Sequence, residues 1–119
     1  GMTVVNFTDL LVWQKAHYLV LLVYKATKNF PEDEKFALTN QLRRAAVSIT
    51  SNIAEGFGRN TSKDKVHFYS MSKGSLLEVQ SQLYIAKDLG YIKFEDFNIF
   101  ENQIVEIAKM ISGLKNSAR

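Results

Sequence analysis

The chain has 119 residues, with 15 Lys and Arg, 12 Asp and Glu, and no cysteine. That length fits one domain, and the missing cysteine excludes disulfides, thiolate zinc sites and cysteine nucleophiles while fitting a reducing compartment. We therefore expect a single domain over 1–119 in the cytoplasm, with Gly1 a cloning remnant before a natural start at Met2. A membrane span is not expected, because the apolar stretch Tyr18–Tyr24 falls well short of the roughly 20 residues needed.

The first predicted helix covers residues 9–29, with Thr8 or Asp9 as its N-terminal cap. One apolar line follows helical spacing from Trp13 to Val23. A second apolar line runs along another side of the same helix: Val12, Leu19, Leu22 and Ala26. A helix that is apolar on two sides must be covered on two sides. We expect the second line to lie between subunits wherever the chain itself does not cover it.

Three further helices are predicted at 32–56, 62–89 and 95–115. Pro31 can start the second, which has three acids in its first turn, and Thr61 or Ser62 caps the third. The fourth shows apolar residues at alternating spacings of three and four. Because the connections are short and no segment alternates at period two, the sequence predicts an all-α, up-down-up-down antiparallel four-helix bundle.

A row of polar side chains accompanies the apolar stripe of the second helix: Gln41, Arg44, Ser48, Asn52 and Glu55. Ser75 and Glu78 occupy a comparable flank of the third helix. If the two flanks meet, Arg44 or Arg43 can pair with Glu78 or Glu55. We favour a structural network that fixes helix register over a groove for a ligand or nucleic acid, and both over catalysis.

Gly74 lies in the middle of the third predicted helix, where glycine costs about 1 kcal/mol relative to alanine. We expect close helix packing to compensate for that cost. The alternative is a shallow groove lined by small residues.

Recognisable enzyme chemistry is missing from the chain. His17 and His67 have no second ligand at the spacing that a helical metal site needs. Neither a phosphate-binding glycine loop nor a nucleophile elbow occurs. We therefore expect no metal, no cofactor and no catalytic residues.

The positive charge is concentrated between residues 43 and 73. This segment has six basic residues and only two acids, Glu55 and Asp64, while the remainder of the chain has a net charge of −1. These six are the candidate nucleic-acid contacts: Arg43, Arg44, Arg59, Lys63, Lys65 and Lys73. Basic side chains near a helix N-terminus suit phosphate oxygens. Because Arg43 and Arg44 differ by about 100° around a helix, we expect only one of them to face solvent.

Five short segments together match the pattern of a known family. They are FxDLxxWQxA at 7–16, FPxxE at 30–34, QLRRAAxSI at 41–49, NIAEG at 52–56 and GSxxE at 74–78. Over roughly residues 7–114 the chain resembles the bacterial 23S rRNA intervening sequence proteins, sometimes labelled S23 ribosomal protein. The resemblance implies a four-helix bundle that assembles as a ring-like homopentamer. It extends to the accessory proteins of diversity-generating retroelements, which are basic pentameric barrels that bind nucleic acid and a reverse transcriptase.

Charge, apolar pattern and resemblance together predict a non-enzymatic, oligomeric protein that binds RNA or DNA through a basic surface. The alternative is a protein–protein interaction scaffold, in which the basic cluster meets an acidic partner and the polar row is purely structural. An enzyme would require Glu55, Glu78, Asn52 and Arg44 to converge around a pocket.

Overall fold

The chain forms four α-helices, each with apolar residues spaced three and four positions apart. The computed structural model describes residues 3–119, so the expectation about Gly1 and Met2 lies outside the described residues. The helices are α1 (Leu11–Thr27), α2 (Leu38–Phe57), α3 (Ser62–Asp88) and α4 (Phe94–Ala118), with single 3₁₀ turns at Phe7–Asp9 and Glu32–Glu34. No strand occurs between residues 3 and 119, and the fold is all-α as predicted.

The start of α1 differs from the sequence expectation. Asn6 Oδ1 accepts a hydrogen bond from the Thr8 backbone N–H at 3.1 Å, while Asp9 Oδ2 accepts from the backbone N–H groups of Asn6 and Val5. These two bonds, the one from Asn6 first, lower the pKa of the Asp9 carboxyl group. Thr8 and Asp9 thus belong to a 3₁₀ turn that precedes α1, and neither caps the helix itself.

The prediction that the second helix begins at residue 32 is wrong. The acids after Pro31 form only a 3₁₀ turn, and Ala37, at φ −121° and ψ −108°, separates that turn from α2. Tyr91 donates a hydrogen bond to Glu34 Oε2 at 3.1 Å, and its ring lies 5.3 Å from that of Phe30. The turn therefore fastens the α1–α2 connection to the α3–α4 connection.

Two pairs of neighbouring helices make contacts that run in opposite sequence directions. Between α2 and α3, Gln41 meets Gln82 and Ser48 meets Ser75. Between α3 and α4, Gln80 meets Glu101 and Tyr84 packs on Phe97. These are the registers of antiparallel neighbours. α1 lies against α4, where Lys15 pairs with Glu106.

α2 and α3 approach each other closely at two buried points. The fully buried Ser72 donates its hydroxyl hydrogen to the Ile49 carbonyl at 2.8 Å. One end of the interface brings Gly56 against Tyr69, so that a Cβ on Gly56 would lie 2.5 Å from Tyr69 Cε1. Both contacts need a small side chain where the two backbones come together.

The second apolar line of α1 divides into two parts. Val12 and Leu19 lie in the core of the chain itself, at 5% and 0% exposure, and are not available to another subunit. This corrects the expectation for those two residues, and its cause is that α2 and α4 cover α1 from two sides. Leu22 and Ala26 are half-buried beside a groove of about 350 Å³ between α1 and α4.

Gly56→Ala tests the close approach of α2 and α3. The added methyl group has no room beside Tyr69, which is only 2% exposed. Overpacking of this kind lowers the free energy of unfolding by about 1–3 kcal/mol, which chemical denaturation measures.

The matched control is Gly58→Ala, two residues further on. A Cβ at Gly58 makes only ordinary contacts of 3.7 and 3.8 Å, and its φ of −80° suits alanine. Equal stability losses in the two variants would contradict the packing account.

Candidate nucleic-acid interface

The Arg43 side chain extends from α2 to contact α1. Its Nε donates to Thr27 Oγ1 at 2.8 Å, and its guanidinium group lies 4.7 Å from the ring centroid of Tyr24. Arg44, one residue further on, is exposed. Only one of the pair thus faces solvent freely, and Arg43 acts within the fold.

The Lys65 ammonium group is also hydrogen-bonded within the chain. Its Nζ donates to the carbonyl oxygens of Phe57 and Gly56, at 2.8 and 3.3 Å. These carbonyls belong to the last turn of α2, whose acceptors lack helical partners. An ammonium group at a helix C-terminus also complements the helix dipole, so Lys65 ties the end of α2 to the start of α3.

Arg59 is paired, although it remains on the surface. Its guanidinium group lies 3.1 Å from Glu55 Oε2 and 4.4 Å from the ring centroid of Phe68. Both side chains of the ion pair are about half exposed, so a ligand anion can still reach Arg59. Glu55 neutralises part of its charge.

The remaining predicted cations, Arg44, Lys63 and Lys73, form no ion pair among residues 3–119. They do not share one face. Arg44 lies on the flank of α2 that faces α3. Lys73 lies seven residues before Gln80, which is two helical turns on the same side of α3, and Gln80 contacts α4. The six predicted residues therefore do not form a single patch.

The structure brings Lys63 and Lys73 together with cations that the sequence reading did not include. Gln80 contacts Glu101, and Tyr84 packs on Phe97. Because the two helices run antiparallel in this register, the C-terminal half of α4 lies beside the N-terminal half of α3. We call the resulting surface the α3–α4 basic face: Lys63, Lys73, Lys109, Lys115 and Arg119. Residues 107–119 contain no Asp or Glu. This second acid-free basic segment is visible in the sequence, but it lies outside the 43–73 segment to which the positive charge was assigned.

None of the five side chains on the α3–α4 basic face takes part in an ion pair within the described range. Lys63, Lys109 and Arg119 are exposed, whereas Lys73 and Lys115 are half-buried. Half-buried lysines keep their stems on apolar surface while the ammonium groups reach water. This face therefore offers uncompensated positive charge to an anion.

The polar row of α2 does meet α3. Ser48 and Ser75 place their hydroxyl oxygens 2.8 Å apart, and Asn52 Nδ2 donates to the Ser48 carbonyl and hydroxyl oxygens. Gln82 Nε2 makes long contacts with Gln41 Oε1 at 3.5 Å and Glu78 Oε1 at 3.4 Å. We call this surface the α2–α3 seam: Gln41, Arg44, Ser48, Ser75, Glu78 and Gln82.

The expected ion pairs across the seam are not formed between the described residues. Glu55 pairs with Arg59 on its own helix, and Glu78 has no cation within ion-pairing distance. The network consists of hydroxyl and amide hydrogen bonds, because the serines and Asn52 lie nearest the core while Arg44 and Glu78 lie further out, both exposed.

Gly74 contradicts the expectation of close helix packing. A Cβ built at Gly74 has nothing within 4 Å, and the residue is exposed in the middle of α3. Packing inside the chain therefore does not compensate for the cost of a helical glycine. The space outside Gly74 is open.

The four residues that an enzyme would require do not surround a common cavity. A shallow depression of about 610 Å³ has Glu55 and Arg59 in its lining, but Asn52, Arg44 and Glu78 lie outside it. Across the described part of the chain, no three side chains of the metal-binding types converge. None of its helices is long and apolar enough to cross a membrane.

Comparison with known proteins identifies a family and a similar crystal structure. The family model for the 23S rRNA-intervening sequence protein matches residues 8–113. A crystal structure of a protein with unknown function, from the S23 ribosomal protein family of Bacteroides thetaiotaomicron VPI-5482, superposes with a TM-score of 0.79 at 21% identity, covering 88% of this chain and 95% of that one. No curated protein matches. Since the family model spans most of the four helices, the chain belongs to the 23S rRNA-intervening sequence protein family.

Proposed function

We propose that this chain is a non-enzymatic binding protein that contacts the phosphates of RNA or DNA through the α3–α4 basic face. The observation that carries the proposal is the group of five cations there, which have no carboxylate partner between residues 3 and 119. We place the protein in the cytoplasm, as the lack of cysteine favours.

The dimensions of the face suit a nucleic-acid backbone. Lys63 and Lys73 are ten residues apart on α3, which corresponds to about 15 Å along the helix. Each strand of a duplex advances about 3.4 Å per phosphate, so the face spans four or five phosphates. Contacts of this kind position a nucleic acid without reading its sequence.

Replacing Lys73 and Lys109 by alanine tests the proposal. Each lost phosphate contact reduces the slope of log affinity against log salt concentration by about 1, so we expect the double variant to lose about two units of slope. Fluorescence anisotropy with a labelled structured rRNA fragment, from low to moderate salt, measures this slope.

The matched control is the double variant Lys28→Ala and Lys93→Ala, which removes two exposed lysines at the opposite end of the bundle. Its salt slope should equal that of the unmodified protein. Equal effects of the two double variants, or no binding at low salt, would contradict the proposal. If an acidic protein is instead recovered after nuclease treatment, the chain is an interaction scaffold.

We further propose that the chain assembles as a homo-oligomer, a homopentamer by resemblance to the family. The groove between α1 and α4 supports this, because Tyr18 and Ile99 line it at 54% and 52% exposure. Leu21 and Leu11 on α1 are similarly exposed. Contiguous exposed apolar surface is typical of protein–protein contact sites. A ring of copies would repeat the α3–α4 basic face around one axis.

Ile99→Glu places a charge in the α1–α4 groove and should dissociate the assembly. Light scattering at micromolar concentration should give a multiple of 13.6 kDa for the unmodified chain and a smaller particle for the variant. Asn102→Glu, at an exposed position on α4 outside this groove, should keep the assembly. A 13.6 kDa particle for the unmodified chain would refute assembly.

A further inference from the structure

Gly74 has no explanation within the chain. It costs helix stability relative to alanine, yet a Cβ there has nothing within 4 Å. Its neighbour Ser75 belongs to the α2–α3 seam, and Lys73 belongs to the α3–α4 basic face. Gly74 thus lies on the outer ridge of α3, between a polar surface and a cationic one. Glycine at such a point permits the backbone of another molecule to approach closely.

Arg44 and Glu78 lie at one level of the seam. Cross-contacts of Ser48 with Ser75 and of Gln41 with Gln82 bracket both residues on their helices. Both side chains are exposed, and they form no ion pair with each other or with any other described residue. A guanidinium group and a carboxylate are therefore presented side by side, each able to bind a ligand.

Gln82 supplies a third group in the seam. It is 93% buried, and its amide nitrogen makes long contacts to Gln41 and Glu78. Its carbonyl oxygen has no hydrogen-bond partner among the described residues. A buried acceptor without a donor is costly, and a small rotation of the weakly held amide lets a bound donor satisfy it.

We propose that a single-stranded nucleic acid crosses α3 at Gly74, with its phosphates on the α3–α4 basic face and an unpaired guanine in the α2–α3 seam. The inference rests on the proposed function and adds the path of the strand and the base that is read. The absence of a side chain at Gly74 lets the sugar–phosphate backbone lie directly on the helix.

The chemistry of the seam selects guanine among the four bases. The Watson–Crick edge of guanine carries two adjacent donors, N1–H and the N2 amino group, which match the two oxygens of Glu78. Its O6 and N7 are acceptors that suit Arg44. The Gln82 oxygen accepts a further amino hydrogen. Because base pairing covers this edge in a duplex, the site requires an unpaired base.

Gly74→Ala separates binding from folding, because the two effects have opposite signs. Alanine favours the helix and meets no neighbour, so the unfolding midpoint should rise by about 4 °C. The methyl group obstructs the strand, so affinity for a single-stranded oligonucleotide should fall about tenfold. Asn98→Ala is the control, since Asn98 is exposed in the N-terminal half of α4, away from the α3–α4 basic face. It should also raise the midpoint, because alanine favours a helix over asparagine, and it should leave affinity unchanged.

A second experiment tests the base. Anisotropy titrations compare a uridine oligonucleotide with the same oligonucleotide carrying one central guanine. The unmodified protein should prefer the guanine oligonucleotide about tenfold. Glu78→Gln, which keeps the size of an exposed side chain but replaces one acceptor by a donor, should abolish this preference. Glu106→Gln, also exposed and on α4, should retain it.

The outcomes distinguish this inference from the proposed function. If the Lys73 and Lys109 variant loses salt-dependent affinity while Gly74→Ala binds normally, the proposed function stands and the strand path is wrong. Tighter binding of duplex than of single strand, or no preference for guanine, overturns the base assignment. If the lysine variant binds like the unmodified protein, the proposed function itself fails.

Discussion

The close approach of α2 and α3 is the constraint on which the rest of the structure depends. Ser72 donates to the Ile49 carbonyl in the core, and Gly56 leaves room for the ring of Tyr69. Small groups at these points fix the register of the two helices. That register brings Ser48 to Ser75 and Lys65 to the end of α2. The polar seam and the tight connection between the two helices both follow from this close approach.

The distribution of charge follows from topology rather than from one stretch of sequence. Because α4 runs antiparallel to α3, its acid-free C-terminal half lies beside the N-terminal half of α3, and Lys109 and Lys115 join Lys63 and Lys73. Over the same half of the bundle, Glu55 lies on α2, and Asp64 lies in the first turn of α3, about 100° around the helix from Lys63. The basic residues without acidic neighbours therefore lie on one flank of α3, and the flank on the other side carries both acidic and basic residues. The two surfaces meet along the ridge at Gly74.

Sequence spacing predicted the helices well because the apolar repeat is a local property of each segment. It failed where distant residues decide the outcome. The late start of α2 goes with a contact between Glu34 and Tyr91, 57 residues apart. Likewise, the sequence could not separate Arg43 from Arg44, since Thr27 and Tyr24 on another helix engage only the former. The error at Gly74 has the same origin, because open space around a residue leaves no mark on its neighbours in sequence.

The central claim is that nucleic acid lies along α3, with its phosphates toward α4 and its bases toward α2. Photo-cross-linking of a 4-thiouridine-containing single strand, followed by mass spectrometry of the protein, tests this most directly. Because 4-thiouridine cross-links through its base, the account predicts adducts on peptides that cover residues 74–82 of α3 and the flank of α2 around Arg44, with none on α1. Cross-links concentrated on α1, or at the end of the bundle that holds Glu32–Glu34, would contradict it.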